Sequence, residues 1–157
     1  MLAQVDVPVV GVNSGRIGFL AKVDPEGLEQ LLADLVAENF EIEARMLLEA
    51  RLIRASGAAA GAFAALNDAA IVRGAEARVL HLDVSIDDTH LASYIADGVI
   101  VATPTGSTAY SFSAGGPILD PTARNLIVTP VAAYLSSLRS IVVGPTHTVR
   151  VRHVDGA

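Results

Sequence analysis

Cysteine is absent from the 157-residue chain. Its absence excludes disulfide bonds, thiolate nucleophiles and cysteine-ligated zinc sites. Tryptophan is also missing, and aromatic residues make up only 4% of the sequence. So few aromatic side chains argue against a protein that stacks nucleic-acid bases on its surface.

Positive charge is scarce as well. Eleven Lys and Arg residues against seventeen Asp and Glu give a net charge of -6 and a pI of about 5.0. A protein whose main task is to grip nucleic acid is usually basic, because it must neutralise phosphates. The charge balance therefore predicts no nucleic-acid partner.

Long hydrophobic runs are missing too. No stretch approaches the roughly 20 apolar residues of a membrane span, and residues 1–6 carry no basic group ahead of an apolar run, so no signal peptide is predicted. We expect a soluble cytoplasmic protein without a membrane partner. The chain is nevertheless 52% hydrophobic and only 18% charged, which is the opposite of a disordered sequence. Its length suits one domain, or one domain and a fragment.

The first third of the chain predicts a strand and a helix. Residues 7–12 form a short apolar run rich in valine, which is typical of a buried strand. Asp24-Pro25-Glu26 then predicts a helix start, with Asp at the N-cap and Pro in the first helical position. Leucines at helical spacing follow, and the helix should end near residues 38–39.

The remainder predicts mostly strands. Residues 41–54 contain many helix formers. Apolar residues nevertheless alternate there with mostly charged ones, and this period of two favours a half-buried strand. The continuously apolar run 99–102 predicts a fully buried strand that Pro104 ends, and residues 105–114 should enter a helix. Strands are predicted at 41–54, 78–86, 91–95, 99–102, 141–143 and 149–151, with turns at 55–61 and 87–89.

The densest chemical signal is a loop rich in Thr, Gly and Ser that follows the buried strand. Its sequence is Thr103-Pro104-Thr105-Gly106-Ser107-Thr108-Ala109-Tyr110. Backbone N–H groups and hydroxyls in such a loop can approach a polar ligand closely, and Tyr110 offers a flat face suited to a nucleobase. The alternative is a Ser/Thr-rich turn that merely caps a helix. Ser107 lacks the Gly-x-Ser-x-Gly elbow, so no serine nucleophile is predicted.

Three blocks in order make the sequence resemble the NAD kinases (ATP-NAD kinases). The first runs from Gly11 to Leu20, the second is Ala65-Leu66-Asn67-Asp68, and the third extends from Asp97-Gly98 through the loop to Gly115-Gly116-Pro117. The resemblance implies a strand-rich α+β fold of packed β-sheets, preceded by the end of an α/β nucleotide-binding domain. It assigns residues 1–20 to the tail of that otherwise missing domain and residues 21–157 to a β-rich NAD-binding domain, incomplete at its C-terminus.

The resemblance also implies which residues bind the dinucleotide. Asn67 and Asp68 correspond to a pair around the riboses, and an amide with a carboxylate suits a vicinal diol because together they donate and accept. The adenine-side contacts would be Thr108, Ala109 and Tyr110, with Thr105 beside them. Asp97 and Ser113 match positions that contact the bound dinucleotide, in part across a subunit interface. Arg78 matches a further, more variable contact. Ser111, Phe112 and Ala132 complete the predicted set of dinucleotide-binding residues.

Simpler interpretations of single residues stay open. Asp68 could be a turn or cap residue, Asp97 before Gly98 is a common turn pair, and Arg78 by itself would be a solvated charge. The four histidines show no metal-ligand spacing, so we expect them on the surface or on strands. No metal-ligating residue is predicted in this chain.

One defining motif of the family is missing. The Gly-Gly-Asp-Gly loop, whose Asp is thought to deprotonate the attacking ribose hydroxyl, does not occur among the 157 residues. No catalytic residue is therefore predicted here, and the activity of this chain alone is doubtful, since phosphoryl transfer needs both a base and a phosphate cradle. A divalent cation, expected as Mg²⁺, would offset the repulsion between an acidic chain and ATP.

Two functions remain from the sequence. The first is an NAD kinase, which transfers the ATP γ-phosphate to the 2′-hydroxyl of the NAD adenosine ribose to make NADP, working as a homo-oligomer (a dimer or tetramer). The alternative is a catalytically silent nucleotide-binding or assembly module derived from such a kinase. A lipid kinase, more distantly similar, is a third hypothesis that Asn67-Asp68 and Thr108-Ala109-Tyr110 disfavour.

Overall fold

Two compact units make up the chain, Met1–Ala44 and Arg45–Ala157. A computed structural model describes residues 7–15, 21, 23–75, 79–134 and 138–154. No helix among these residues is both long and apolar enough to cross a membrane. The predicted domain boundary after residue 20 stays a prediction.

The described residues of the first unit contain one α-helix. A short 3-10 turn, Pro25–Gly27, leads into helix α1 (Leu28–Val36). The backbone of Asp24 is extended ahead of Pro25, as expected for a residue outside the first helical turn. The helix ends at Val36, slightly before the predicted end, and Glu38 beyond it has a φ of 56°. The helix prediction is confirmed.

The strand predicted over residues 7–12 is wrong. Only an isolated parallel bridge joins Val12 to Val23, supported by a 2.7 Å hydrogen bond from the Asn13 N–H to the Val23 carbonyl. Val7, Val9 and Val10 are exposed. An apolar run forms a buried strand only when neighbouring strands cover it, and the described residues supply no such neighbours here. Residues 16–20 of the first family-like block lie outside the described residues.

The second unit is built from nine antiparallel strands among its described residues. One sheet joins β1 to β2, another has the order β3-β6-β7-β8, and a third has the order β5-β4-β9. The strand-rich α+β class is confirmed. The elements are β1 (Leu48–Ile53), β2 (Ala59–Ala65), β3 (Asp68–Val72), β4 (Leu80–Ile86), β5 (Thr89–Ala96), β6 (Gly98–Ala102), α2 (Tyr110–Ser113), β7 (Leu126–Val131), β8 (Ile141–Val143) and β9 (Val149–His153).

Pairing limits explain where the strand predictions differ from the structure. The strand predicted over 41–54 begins only at Leu48, because Leu48 pairs with Ala65, where β2 ends. The helix predicted over 105–114 is a 3-10 turn, Thr105–Thr108, followed by the four residues of α2. Strands β3 and β7 were not predicted, and β2 begins at Ala59, inside the turn predicted at 55–61.

Strand β6 is covered on both faces, which is why its sequence is continuously apolar. On one face Val99 and Val128 pack with Leu82, Val84 and Tyr94 of the three-stranded sheet. On the other face lies an apolar cluster of Ile100, Ala102, Ile127, Ala114 and Leu119. All five residues of β6 are buried, as the sequence predicted.

The substitution Ile100→Ala tests this arrangement. Ile100 is 0% exposed, so removing its side chain leaves a cavity, and we expect the free energy of unfolding to fall by about 2–5 kcal/mol. Ile53→Ala is the matched control, since Ile53 is 62% exposed and should lose less than about 1 kcal/mol. Urea denaturation of the full chain measures both. Equal losses would contradict a core centred on β6.

Candidate functional site

The pairing of β3 with β6 brings the Asn67-Asp68 pair against the Thr/Gly/Ser-rich loop. Asp68 lies opposite Ala102 in the ladder. One residue further on, the Thr103 N–H donates to the Asn67 carbonyl at 2.8 Å, and the Thr103 hydroxyl donates to the Leu66 carbonyl. The two segments that the sequence singled out are therefore neighbours in space.

Gly106 makes the closest contact between these segments. A Cβ atom at this position would overlap the carbonyl oxygen and carbon of Asn67. The Gly106 N–H donates to the Thr103 hydroxyl at 3.1 Å. Only a residue without a side chain lets the loop rest directly on the backbone of Asn67.

Ser107 fixes the interior of the loop. Its hydroxyl donates to the Pro104 carbonyl at 2.6 Å and accepts from the Leu119 N–H at 3.1 Å. The side chain is fully buried, so these bonds satisfy a group that would otherwise be costly to bury. Ser107 thus holds the loop in shape.

The candidate ligand-binding side chains differ in exposure. Tyr110 is 43% exposed, Phe112 and Ser113 are also exposed, and Thr108 and Ala109 are half-buried. Ser111 is fully buried, so its hydroxyl has no open surface in this structure. The exposed side chains of α2, those of Tyr110, Phe112 and Ser113, are therefore the ones available to a ligand.

Arg45, which the sequence did not single out, lies beside the loop. Its Nη1 donates to the Thr105 hydroxyl at 3.4 Å, and Thr105 itself is largely buried. Hydrogen bonds from the Thr122 side chain and backbone lower the pKa of the Asp120 carboxyl, and the Arg45 charge lowers it further. A guanidinium therefore stands close to Thr105, where its fixed positive charge would favour an anionic ligand.

Asp68 is the half-buried carboxyl of the site. Residues directly opposed on antiparallel strands share a face, so Asp68 lies on the same face of the sheet as Ala102, which packs against Leu119. Burial raises the pKa of the Asp68 carboxyl above its ordinary value. The protein thus holds this group where water solvates it incompletely.

Asp97 and Ala132 lie at the other end of β6. The Asp97 N–H donates to the Val131 carbonyl at 2.9 Å, and Ala132 follows Val131 with a φ of 48°. Thr103 lies six residues beyond Asp97 along the chain, which is about 20 Å at roughly 3.3 Å per strand residue. The structure therefore divides the predicted site residues into two separate groups. Arg78 lies outside the described residues.

Asp97 also has a partner that the sequence did not indicate. The Arg73 Nε lies 2.9 Å from the Asp97 Oδ1, and the Arg73 N–H donates to the Asp97 carbonyl at 2.9 Å. Both side chains remain partly exposed. No short motif links the two residues, so only the pairing of β3 with β6 reveals the contact.

Other clusters do not resemble a metal centre. Among the residues that the structure describes, no group of three or more His, Asp or Glu side chains is arranged to hold a metal ion.

A groove of about 240 Å³ lies on the polar face of the three-stranded sheet. Its lining residues are Asp83, Ser85, Asp88, His90, Arg150 and Arg152. The four histidines lie on strands or in an exposed turn, as predicted.

Gly106→Ala tests the contact between loop and pair. The new Cβ must push the loop away from Asn67, and we expect a loss of about 1–3 kcal/mol in the free energy of unfolding. Gly74→Ala is the control, because a Cβ there meets nothing within 4 Å in the described structure. Urea denaturation compares the two. If Gly106→Ala is as stable as Gly74→Ala, the loop does not rest on Asn67.

Asp68→Asn tests the burial of the carboxyl. Its pKa is raised above 3.8 in the folded chain, so the folded state binds the proton more tightly and the free energy of unfolding falls as pH rises above that value. The variant removes this loss. We expect its urea midpoint to equal that of the unmodified chain near about pH 3 and to exceed it increasingly towards about pH 7.

Asp88→Asn provides the control, because the Asp88 side chain is 99% exposed. The difference in urea midpoint between this variant and the unmodified chain should not increase with pH. A difference between Asp68→Asn and the unmodified chain that stays constant with pH would contradict the raised pKa.

Comparison with known proteins relates this geometry to a family. The sequence family described as ATP-NAD kinase C-terminal domain matches residues 66–157, and that described as ATP-NAD kinase N-terminal domain matches residues 1–40. An NAD kinase of Symbiobacterium thermophilum is 48% identical over 151 residues, covering 96% of this chain and 53% of that protein.

Solved structures give the same relationship. Yeast NADH kinase complexed with NADH superimposes with a TM-score of 0.89 at 31% identity, covering 94% of this chain and 43% of that one. An NAD kinase from Archaeoglobus fulgidus in complex with ATP gives 0.79 at 29% identity, over 93% and 55% of the two chains. The chain spans about half the length of the curated relatives it matches. With 92 of its residues, 66–157, matched by the C-terminal domain, the chain belongs to the ATP-NAD kinase family.

Proposed function

We propose that this chain forms the dinucleotide-binding part of an NAD kinase, which transfers the ATP γ-phosphate to the 2′-hydroxyl of the NAD adenosine ribose. The observation that carries the proposal is the contact between two segments. The Asn67-Asp68 pair and the loop that leads to Tyr110 meet through the Thr103–Asn67 hydrogen bond and the close approach of Gly106. Relatives of similar structure in complex with NADH and with ATP support it.

The chemistry of these residues suits an adenosine. An amide and a carboxylate at Asn67 and Asp68 can donate to and accept from the two hydroxyls of a ribose. The exposed ring of Tyr110 can stack on the base, since aromatic faces bind nucleobases well. Thr105, Thr108, Ala109, Phe112 and Ser113 would complete this end of the ligand.

The second group of residues requires a further step. Asp97 and Ala132 lie about 20 Å along β6 from the loop, at the usual strand rise. We propose that they and Arg78 contact a dinucleotide bound to a neighbouring copy of the chain in a homo-oligomer. The partial exposure of Asp97 leaves it accessible for such a contact.

Residues for phosphoryl transfer are not among those assigned here. The Gly-Gly-Asp-Gly loop does not occur in the chain, and the role proposed for Asp68 is to bind the ribose. Mg²⁺ would neutralise ATP phosphate charge when bound. It is usually held by one or two carboxylates together with the phosphates of the substrate, so it does not need a cluster of three protein ligands. This chain's residues bind and orient NAD.

The alternative function is a catalytically silent nucleotide-binding or assembly module. Purified chain supplied with NAD, ATP and Mg²⁺ tests the transferase directly, because formation of NADP supports it. Binding of NAD without NADP is expected of both functions, since no residue for phosphoryl transfer is assigned here.

Tyr110→Ala tests the binding site. Stacking of a base on an aromatic ring contributes about 1–3 kcal/mol, so we expect NAD affinity to fall by about 5- to 150-fold. Phe63→Ala removes another exposed aromatic ring, on β2, and should leave the affinity unchanged. Isothermal titration calorimetry measures both. Failure of the unmodified chain to bind NAD at millimolar concentration would contradict the proposal.

A further inference from the structure

Three hydroxyl groups form a hydrogen-bonded chain beneath α2. The Ser111 Oγ is bonded to the Thr129 Oγ1 at 3.1 Å, and the Thr129 Oγ1 is bonded to the Ser140 Oγ at 3.0 Å. Ser111 and Thr129 are 0% and 1% exposed, and Ser140 is half-buried. The chain of hydroxyls joins α2, strand β7 and the segment before β8.

The position of Thr129 would suit an apolar residue. Thr129 pairs with Ile100, and Ile127 pairs with Ala102. Paired residues share a face of the sheet, and residues two apart on one strand do so too, so all four side chains lie on one face. Ile100, Ala102 and Ile127 form an apolar cluster there. A hydroxyl is costly to bury unless it is bonded, and here the hydroxyls satisfy each other. Packing alone therefore does not explain a threonine at this position.

Gly116 encloses the hydroxyl chain. A Cβ at Gly116 would overlap the Ser111 Oγ and come within 2.9 Å of the Thr129 Oγ1. The Gly116 N–H donates to the Ser111 carbonyl at 2.8 Å. The Ser111 side chain and its own carbonyl are thus both bonded to surrounding buried elements.

Helix α2 depends on such anchoring. It has only four residues, far too few to be stable through its own hydrogen bonds. Ser111 stands between Tyr110 and Phe112, whose rings are exposed. Fixing Ser111 therefore fixes the stretch of backbone from which the two neighbouring rings project.

We propose that Ser111, Thr129 and Ser140 are positioning residues that hold α2 so that Tyr110 meets the nucleobase. The proposal rests on the proposed function, and it gives Ser111 a role that acts through Tyr110 and not through direct contact with the ligand. The hydroxyl chain favours a single arrangement of α2, because all three hydroxyls are hydrogen-bonded only in that arrangement, whereas an apolar contact tolerates several.

Thr129→Val tests the proposal, because it removes the hydroxyl and keeps the branched shape. We expect NAD affinity to fall about fivefold or more, because the variant removes both hydrogen bonds of the Thr129 hydroxyl and one bond alone typically changes an equilibrium about fivefold. Thr129→Ser retains the hydroxyl and should stay within about twofold of the unmodified chain. Thr148→Val, at an exposed threonine before β9, is the matched control. Ser140→Ala provides a second test if Thr129→Val does not fold.

A double variant separates positioning from general destabilisation. In the Tyr110→Ala background, Thr129→Val should weaken NAD binding no further, because its effect passes through Tyr110. A merely structural role would lower the affinity in both backgrounds. Hydrogen exchange without ligand provides an independent measure, and we expect the amides of Ala114 and Gly116 to exchange about tenfold faster in Thr129→Val than in Thr148→Val.

The outcomes distinguish the two proposals. If the unmodified chain binds NAD and Thr129→Val binds it equally well, positioning is overturned and the proposed function stands. Equal losses with and without Tyr110 also overturn positioning. If the unmodified chain binds no NAD, the proposed function fails and this inference fails with it, whatever the exchange rates show about anchoring.

Discussion

The backbone ladder between β3 and β6 is the constraint on which the candidate site depends. It places Asp68 opposite Ala102, and the next bond, from the Thr103 N–H to the Asn67 carbonyl, carries the ladder into the loop. Gly106 then allows close approach and Ser107 closes the loop from within. Two segments more than thirty residues apart in sequence are thereby held together by main-chain contacts that do not depend on flexible side chains.

Local patterns predicted the elements whose neighbours are apparent from the sequence. Period-two alternation indicated β4, because burial of one face of a strand makes every second residue apolar. The apolar run 99–102 indicated β6, because burial of both faces makes the residues continuously apolar. Asp24-Pro25 indicated the start of α1 for the same reason, since capping chemistry is local. The family resemblance pointed to both segments of the site.

Other features depend on pairing over long distances, which no local pattern reveals. Residues 7–12 have the composition of a buried strand but lack covering neighbours among the described residues. Strand β7 contains Pro130, which pairs with Val99, and proline is a poor sequence signal for a strand. The contacts of Asp97 with Arg73, of Thr105 with Arg45, and of Thr129 with Ser111 and Ser140 all join residues far apart in the chain.

Coverage of β6 on both faces has a consequence for the spacing of ligands. A strand packed on each side, with apolar neighbours above and below, cannot shorten or slide without turning its side chains onto the wrong face. It is therefore a spacer of fixed length between the loop at one end and Asp97 at the other. Because we propose that Asp97 contacts the dinucleotide of a neighbouring copy, this length would set how far apart two bound ligands lie in the assembly.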